Sequence, residues 1–381
     1  MRHKVSPLLY QRLREQRLDG QVPQAVLEQL GQTYLHTALR NLRLYHELGL
    51  ILSALGEREI PAIVLKGGFL AHTVYPDNAL RPMADIDLLV RTEDLSTAGK
   101  ILHELGFAEP VRHGVEPRSS AFHHLPHLIK NGGTVVELHW TIVNPTTRAK
   151  QFSCPFELDP QDLFRRAEPV SFGDTSALAL SIEDLLLHLC IHMAYEHRLD
   201  FGLLPLCDIA ETIRHYRRTI DWQELEQRAA RWGAQRCTYL SLRLAKDLLN
   251  ARVPDQILRT MEPDDLRPRF LAWAGDQMLR GQSRSLPPIG NLVRQREEQH
   301  LIERIISLLR TVFPSRRYMA TLYSVPESSG RLCLCYLLRL ERLAQRYAGV
   351  GWRMLRREQA ITEEIVREKR VGSLMDWFSS G

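Results

Sequence analysis

The chain has 381 residues, 44% of them hydrophobic and 25% charged, the balance of an ordinary globular protein with room for two domains. Its formal charge of +5 is too mild to announce nucleic-acid binding, although a basic balance suits a site that attracts polyphosphate. The six cysteines, at 154, 190, 207, 237, 333 and 335, form no C-x-x-C and no zinc-ligand spacing, so they read as reduced thiols of a cytoplasmic protein. No apolar h-region follows Met1-Arg-His-Lys-Val5, and no apolar run approaches the ~20 residues of a membrane span.

In chain order, Leu27, Leu30, Tyr34, Ala38, Leu42, Tyr45, Leu48, Leu52 and Leu55 recur at helical steps and predict a helix over 24–55, stopped by Gly56. Ile60-Pro-Ala-Ile-Val-Leu65 reads as a short buried strand that runs straight into Lys66-Gly67-Gly68, with a short helix from Phe69 to Tyr75. Asp85-Ile-Asp-Leu-Leu-Val90 is the next strand, and Thr92 to Leu105 a helix capped by Thr92. Asn131-Gly-Gly133 between the extended segments Leu125 to Lys130 and Thr134 to Trp140 is a hairpin signal.

From about residue 160 the strand signals fade. Ser181-Ile-Glu-Asp184 has the form of a capping box opening a helix to about Arg198. Asp221 to Trp232, Tyr239 to Leu249, Leu301 to Phe313 and Leu332 to Tyr347 are further helix candidates, and 281–290, with Pro287-Pro288, reads as a linker. The expected fold class is α+β: an N-terminal helical segment (1–56), a small mixed-sheet core (57–160), and a larger helical C-terminal region (161–381) forming the other side of a cleft.

The chemistry concentrates in the core. Side chains alternate along a strand, so Asp85 and Asp87 project from one face roughly 7 Å apart. Carboxylates that close repel each other unless a cation lies between them, and Mg²⁺ takes such hard oxygen ligands. Glu137 offers a third carboxylate on a strand that can lie beside the first, enough for a two-ion site. Gly67 and Gly68, placed between strand and helix, allow backbone N–H groups close to phosphate oxygens; Lys66 adds a cation there. Arg81 either contacts a triphosphate or fixes the loop. Acid pairs two residues apart also occur at Glu57/Glu59, Glu157/Asp159 and Glu224/Glu226, where a solvated surface is the plain reading. Asp85/Asp87 differ because they open an apolar strand, where unpaired acids are costly.

Val64-Leu-Lys-Gly-Gly-Phe-Leu-Ala71, Tyr75-Pro76 and Arg81-Pro-Met-Ala-Asp-Ile-Asp-Leu-Leu-Val90 closely resemble the uncharacterised bacterial nucleotidyltransferase family of the DNA polymerase β-like superfamily. Gly67-Gly68, Asp85/Asp87 and Glu137 within Val136-Glu-Leu-His-Trp140 match the superfamily pattern position by position, with Gly-Gly in place of the commoner Gly-Ser. The resemblance implies Mg²⁺-dependent transfer of a nucleoside monophosphate from an NTP such as ATP to a hydroxyl-bearing acceptor, a small molecule, protein or RNA. Asp85, Asp87 and Glu137 are then the catalytic metal ligands, and Lys66, Gly67, Gly68 and Arg81 hold the nucleotide. Alternatives are a nucleotide-binding regulator without turnover and an RNA-directed enzyme of a toxin–antitoxin type.

Further polar positions stay open on sequence grounds. His188, His192 and Glu196 share one helical face, with His192 a substrate contact if that helix lines the cleft. His139 shares the strand face of Glu137, as a substrate contact, a base or a structural hydrogen bond. Asp208, in an apolar segment, caps a helix or bonds a substrate. Arg339, Arg342, Arg346, Arg353 and Arg356, with Tyr347 and Trp352 among them, form either a solvated face or an anionic-polymer surface.

Overall fold

A computed structural model describes residues 3–109, 124–130, 132–143, 155–266, 268–280, 312–323, 325–355 and 359–379. These fall into two compact units, residues 3–280 in one and 312–379 in the other. The first has a mixed α/β architecture built on one seven-stranded sheet.

Its elements follow as α1 Ser6–Glu15, α2 Gln24–Gly56, β1 Ala62–Val64, α3 Lys66–Phe69, β2 Ile86–Val90, α4 Leu95–Glu104, β3 Phe107–Ala108, β4 Leu128–Lys130 and β5 Thr134–His139. Beyond them lie α5 Pro160–Arg166, β6 Glu168–Phe172, β7 Thr175–Ala179, α6 Ile182–Ile191, α7 Leu204–His215, α8 Trp222–Arg231, α9 Gln235–Leu249, α10 Asp255–Met261 and α11 Pro268–Arg280. Strand order across the sheet is β3-β4-β5-β2-β1-β7-β6. β1 runs antiparallel to β2 and parallel to β7, whereas β2 runs parallel to β5. β2 is buried along its whole length, as a central strand of a covered sheet must be.

The 33-residue α2 spans the predicted helix, but its buried face is rotated from the apolar spacing. Leu44, Leu48, Ile51, Leu52 and Leu55 point inward, while Leu42 is exposed. The polar Asn41 takes an inward place because its amide is fully used: Nδ2 donates to the carbonyls of Asn78 (2.6 Å) and Arg81 (2.9 Å), and Oδ1 accepts from Met83 N–H (3.2 Å). One buried amide thereby fixes the loop that leads into β2.

The hairpin forms as expected, with β4 antiparallel to β5 and Gly132 and Gly133 at φ +102° and +87°, conformations that glycine reaches without strain. Three expectations are corrected. The helix after β1 starts at Lys66 and continues as a π-helical turn over Leu70–Val74. Thr92 lies in a 3-10 turn ahead of α4 and makes no side-chain cap. The sheet also continues past residue 160, because β6 and β7 form a hairpin whose second strand docks on β1. Pro169 sits at the sheet edge, where a missing N–H is tolerated.

The Ser181 hydroxyl caps α6 at the N–H of Asp184 (3.4 Å). Asp184 itself is fully buried between Arg166 (2.9 Å) and Arg228 (2.7 Å). In place of a single helix to Arg198, α6 ends at Ile191 and gives way to a second π-helical turn, His192–Glu196.

The second unit contributes helices Arg316–Tyr323, Leu332–Leu355 and Gln359–Ser379. Met319, Ala320, Leu322, Leu332 and Cys335 form a small core there, with Cys333 exposed rather than buried. Arg339 and Arg342 lie over the rings of Tyr318 (5.8 Å) and Tyr323 (5.4 Å). The side chains of Arg346, Arg353 and Arg356, the 281–290 linker and most of the 301–313 helix candidate lie outside the described residues. Among the described residues no helix is long and apolar enough to cross a membrane, and Cys190, Cys207, Cys237, Cys333 and Cys335 are free thiols.

Candidate active site

β2 and β5 place the acids. Their parallel register sets Asp87 opposite Glu137 and Leu89 opposite His139, so alternation brings Asp87, Glu137 and His139 to one face of the sheet. Ligand atoms of these three residues lie within 4.8 Å of one another, the one such His/Cys/Asp/Glu group found among the described residues. Asp85 immediately precedes β2 and lies outside this tight group, yet close enough for its charge to act on Lys66 and Asp87.

Asp87 is the hub. Its Oδ1 accepts from Lys66 Nζ at 2.9 Å and from His139 Nε2 at 2.8 Å. An ionised carboxylate only accepts, so the proton of His139 is assigned to Nε2. His139 Nε2 also lies 3.7 Å from Glu137 Oε2, and His124 approaches the same oxygen at 3.9 Å. His124 escapes a sequence reading; its signal is a one-residue bridge to His139, visible only once the strands are paired.

Lys66 follows β1 directly. The β1–β2 pairing extends one step past the strand, with Leu65 N–H donating to Asp87 O at 3.0 Å, which brings Lys66 to the acids. Its backbone sits at φ +42°, a left-handed conformation that is uncommon for a residue with a Cβ. α3 is a single turn and carries little of a helix macrodipole, so the expected anion attraction from the helix start is small. Both glycines are buried. The Gly68 carbonyl accepts from Tyr45 OH at 3.0 Å, and a Cβ on Gly68 would come within 2.8 Å of Val64 Cγ1.

Arg81 is turned inward. Its guanidinium is committed to Asp208 of α7, through Nε–Oδ1 at 3.2 Å and Nη2–Oδ2 at 2.9 Å, with Nη1 on the Pro82 carbonyl (3.3 Å). Tyr75 OH also donates to Asp208 Oδ1 at 2.8 Å. Asp208 is thus an anchor inside the fold rather than a helix cap. A Cβ on Gly67 would strike the held guanidinium, which explains the glycine there. Arg40 completes the loop support by donating to the carbonyls of Met83 and Ala84, both at 2.8 Å.

The wall beside the acids is histidine-rich. His188 is buried on α6, and burial together with the Lys66 charge pushes its pKa down to about 3. His192 stands edge-on to His197 (4.1 Å), which stacks on Phe201 at 4.0 Å. Neither His192 nor Glu196 joins the acid group.

Charges in the acid group are strongly unequal. Burial raises the Asp87 pKa, but the Lys66 charge and the His139 hydrogen bond outweigh it and hold the carboxyl well below the usual range. Burial and the Asp87 charge push Asp85 up to about 7. Burial alone lowers Lys66, but Asp87, Asp85 and Glu137 more than offset it and keep the amine protonated. Burial and Lys66 lower His139, which leaves it neutral at physiological pH.

The sign of the pH dependence follows. Between about pH 4 and 7 the folded protein keeps the Asp85 proton that the unfolded chain has released. Metal-free stability attributable to Asp85 therefore falls as pH rises through that window and levels off above it. Asp87 acts oppositely, its contribution vanishing as pH drops below about 4. Asp85→Asn is expected to gain roughly 1–3 kcal/mol over wild type between about pH 5 and 8, read as thermal midpoints with a chelator present. Parallel curves for the two proteins would contradict it.

The donor set fits a hard divalent cation. Asp87 and Glu137 offer carboxylate oxygens with Asp85 beside them, and the Lys66 ammonium already serves as a cation on Asp87. His139, whose proton faces Asp87, orients that carboxylate instead of binding a hard ion.

The sequence places the chain in a nucleotidyltransferase family. It belongs to the family described as uncharacterised nucleotidyltransferase, which it matches over residues 1–250. That stretch holds the whole described sheet and the helices through α9, and none of the described residues of the second unit. Among solved structures, an antigenic nucleotidyltransferase-like protein from Paracoccidioides brasiliensis is similar at 16% identity. The match covers 57% of this chain and 92% of that one, with a TM-score of 0.32. Comparison with curated proteins finds no match.

Proposed function

We propose that the protein is a Mg²⁺-dependent nucleotidyltransferase of the DNA polymerase β-like kind, moving a nucleoside monophosphate from an NTP to a hydroxyl-bearing acceptor with release of pyrophosphate. The observation that carries this is the pairing of Asp87 with Glu137 across two adjacent parallel strands, next to Lys66 and the Gly67-Gly68 turn. Asp85, Asp87 and Glu137 hold the metal. When bound, Mg²⁺ neutralises triphosphate charge and acidifies the acceptor hydroxyl.

The chain's own residues supply the positioning on which such transfer depends. His139 fixes the rotamer of Asp87 by its hydrogen bond. Gly67 and Gly68 let the turn pack closely on Arg81 and Val64, and the backbone of that turn holds the phosphates. The Arg81–Asp208 pair holds the loop carrying Asp85 against α7. Free thiols throughout the described residues suit the cytosol.

The test is pyrophosphate release from each of the four NTPs with Mg²⁺ and a cell-extract acceptor pool, comparing wild type with Glu137→Gln. Glu137 is about one-fifth exposed, and among the described residues no lysine or arginine forms a salt bridge with it. Its amide isostere is therefore expected to keep the fold and nucleotide binding while losing roughly 100-fold or more in rate. Nucleotide binding without release from any NTP in wild type would favour a regulatory protein instead.

A further inference from the structure

Lys66 lies where a lysine is least expected. It has the positive φ described above, it precedes two glycines either of which would adopt that conformation more readily, and its side chain is only 14% exposed. Backbone strain of this kind persists where surrounding structure over-determines it, and it clusters at functional sites. Here it delivers the ammonium to the oxygen of Asp87 that faces His139, amid the charges of Asp85 and Glu137. A divalent ion drawn by the same carboxylates must contact Asp87, and two cations cannot share that oxygen at contact distance without strong repulsion.

We propose that Lys66 is an internal counter-cation: it occupies the divalent-ion position on Asp87 in the free protein and is displaced onto the triphosphate when metal and nucleotide arrive together. The inference rests on the metal-dependent reading of the site. It accounts for two features at once, namely that Asp87 and Glu137 are gathered beside a buried ammonium, and that the lysine stands at the entry to the Gly67-Gly68 turn. Displacement costs the protein one ion pair and restores it through the phosphate charge. Metal alone is then bound weakly, and metal with triphosphate strongly.

The experiment measures Mn²⁺, a spectroscopic stand-in for Mg²⁺, by electron paramagnetic resonance on the full chain without nucleotide. Wild type, Lys66→Met and Glu137→Gln are compared, each with thermal unfolding in the presence and absence of Mn²⁺. Lys66→Met is expected to bind Mn²⁺ at least tenfold more tightly than wild type, and its lowered thermal midpoint is expected to recover with Mn²⁺ by more than the wild-type midpoint rises. A nonhydrolysable triphosphate should bind this variant more weakly. If Lys66→Met does not fold, Lys66→Gln, which still hydrogen-bonds Asp87 without a charge, gives the same reading. Mn²⁺ binding that is lost in Glu137→Gln but no tighter in the Lys66 variants would overturn the displacement and leave the metal site standing. No Mn²⁺ binding to any of the proteins, with or without the triphosphate, would overturn both.

Discussion

Asp87→Asn is expected to lose metal-dependent turnover and, in the same protein, about 3–5 kcal/mol of folding stability. The carboxylate is almost wholly buried and is the shared acceptor of Lys66 and His139. An asparagine of the same shape leaves the Lys66 ammonium inside the fold facing a neutral amide, and breaking a buried pair from one side leaves the other charge uncompensated. In a unit of this size the loss corresponds to a fall of roughly 10 °C in thermal midpoint. Scanning calorimetry beside the pyrophosphate assay checks both parts. An unchanged midpoint would mean that Lys66 and Asp87 are not paired in solution. Glu137→Gln is the cleaner probe of chemistry because it removes an acid without stranding a buried cation.

Asp208→Asn is expected to be comparably destabilising, again by about 3–5 kcal/mol, although it lies on α7, far along the chain from the acids. It leaves the buried Arg81 guanidinium facing a neutral amide in place of its bidentate carboxylate, while the remaining amide oxygen can still accept from Tyr75 OH. The loss should reach the active site, because the Arg81 carbonyl is held by Asn41 and its side chain packs where a Gly67 Cβ would stand. Arg81→Met/Asp208→Leu removes both charges and is expected to cost less than the sum of the single changes by roughly 1–3 kcal/mol. Urea denaturation of wild type, Arg81→Met, Asp208→Leu and the double variant closes the cycle. Strict additivity would show that the two residues are not coupled.

The acids, the Gly-Gly turn and the hairpin before Glu137 are legible in the sequence because each is encoded locally. Asp87 lies on β2 with Asp85 just ahead of it, as the apolar run after them suggests, and Gly132 and Gly133 occupy conformations that few other residues reach. α2 is legible as a helix for the same reason, since its leucines repeat with the period of the backbone. Its inward face was not, because Asn41 is turned inside by three hydrogen bonds to a loop about 40 residues away.

The partners chosen by charged side chains depend on distances that no local period reports. Lys66 and Asp87 are 21 residues apart, and Arg81 and Asp208 are 127 apart. When only their neighbours in sequence are considered, Lys66 reads as a phosphate ligand and Arg81 as either a triphosphate contact or a residue that fixes the loop, since each follows or precedes the right motif. In the folded protein both are held by carboxylates, because a cation brought into a low-dielectric interior takes the nearest compensating charge. The β6–β7 hairpin was likewise invisible as part of the sheet, since its docking strand touches β1 through a single paired position, Ile63 with Leu178. Local periodicity in the sequence therefore determined which residue types stand in the core and on which elements; only the tertiary structure decided which charge faces which, because burial makes that choice at long range.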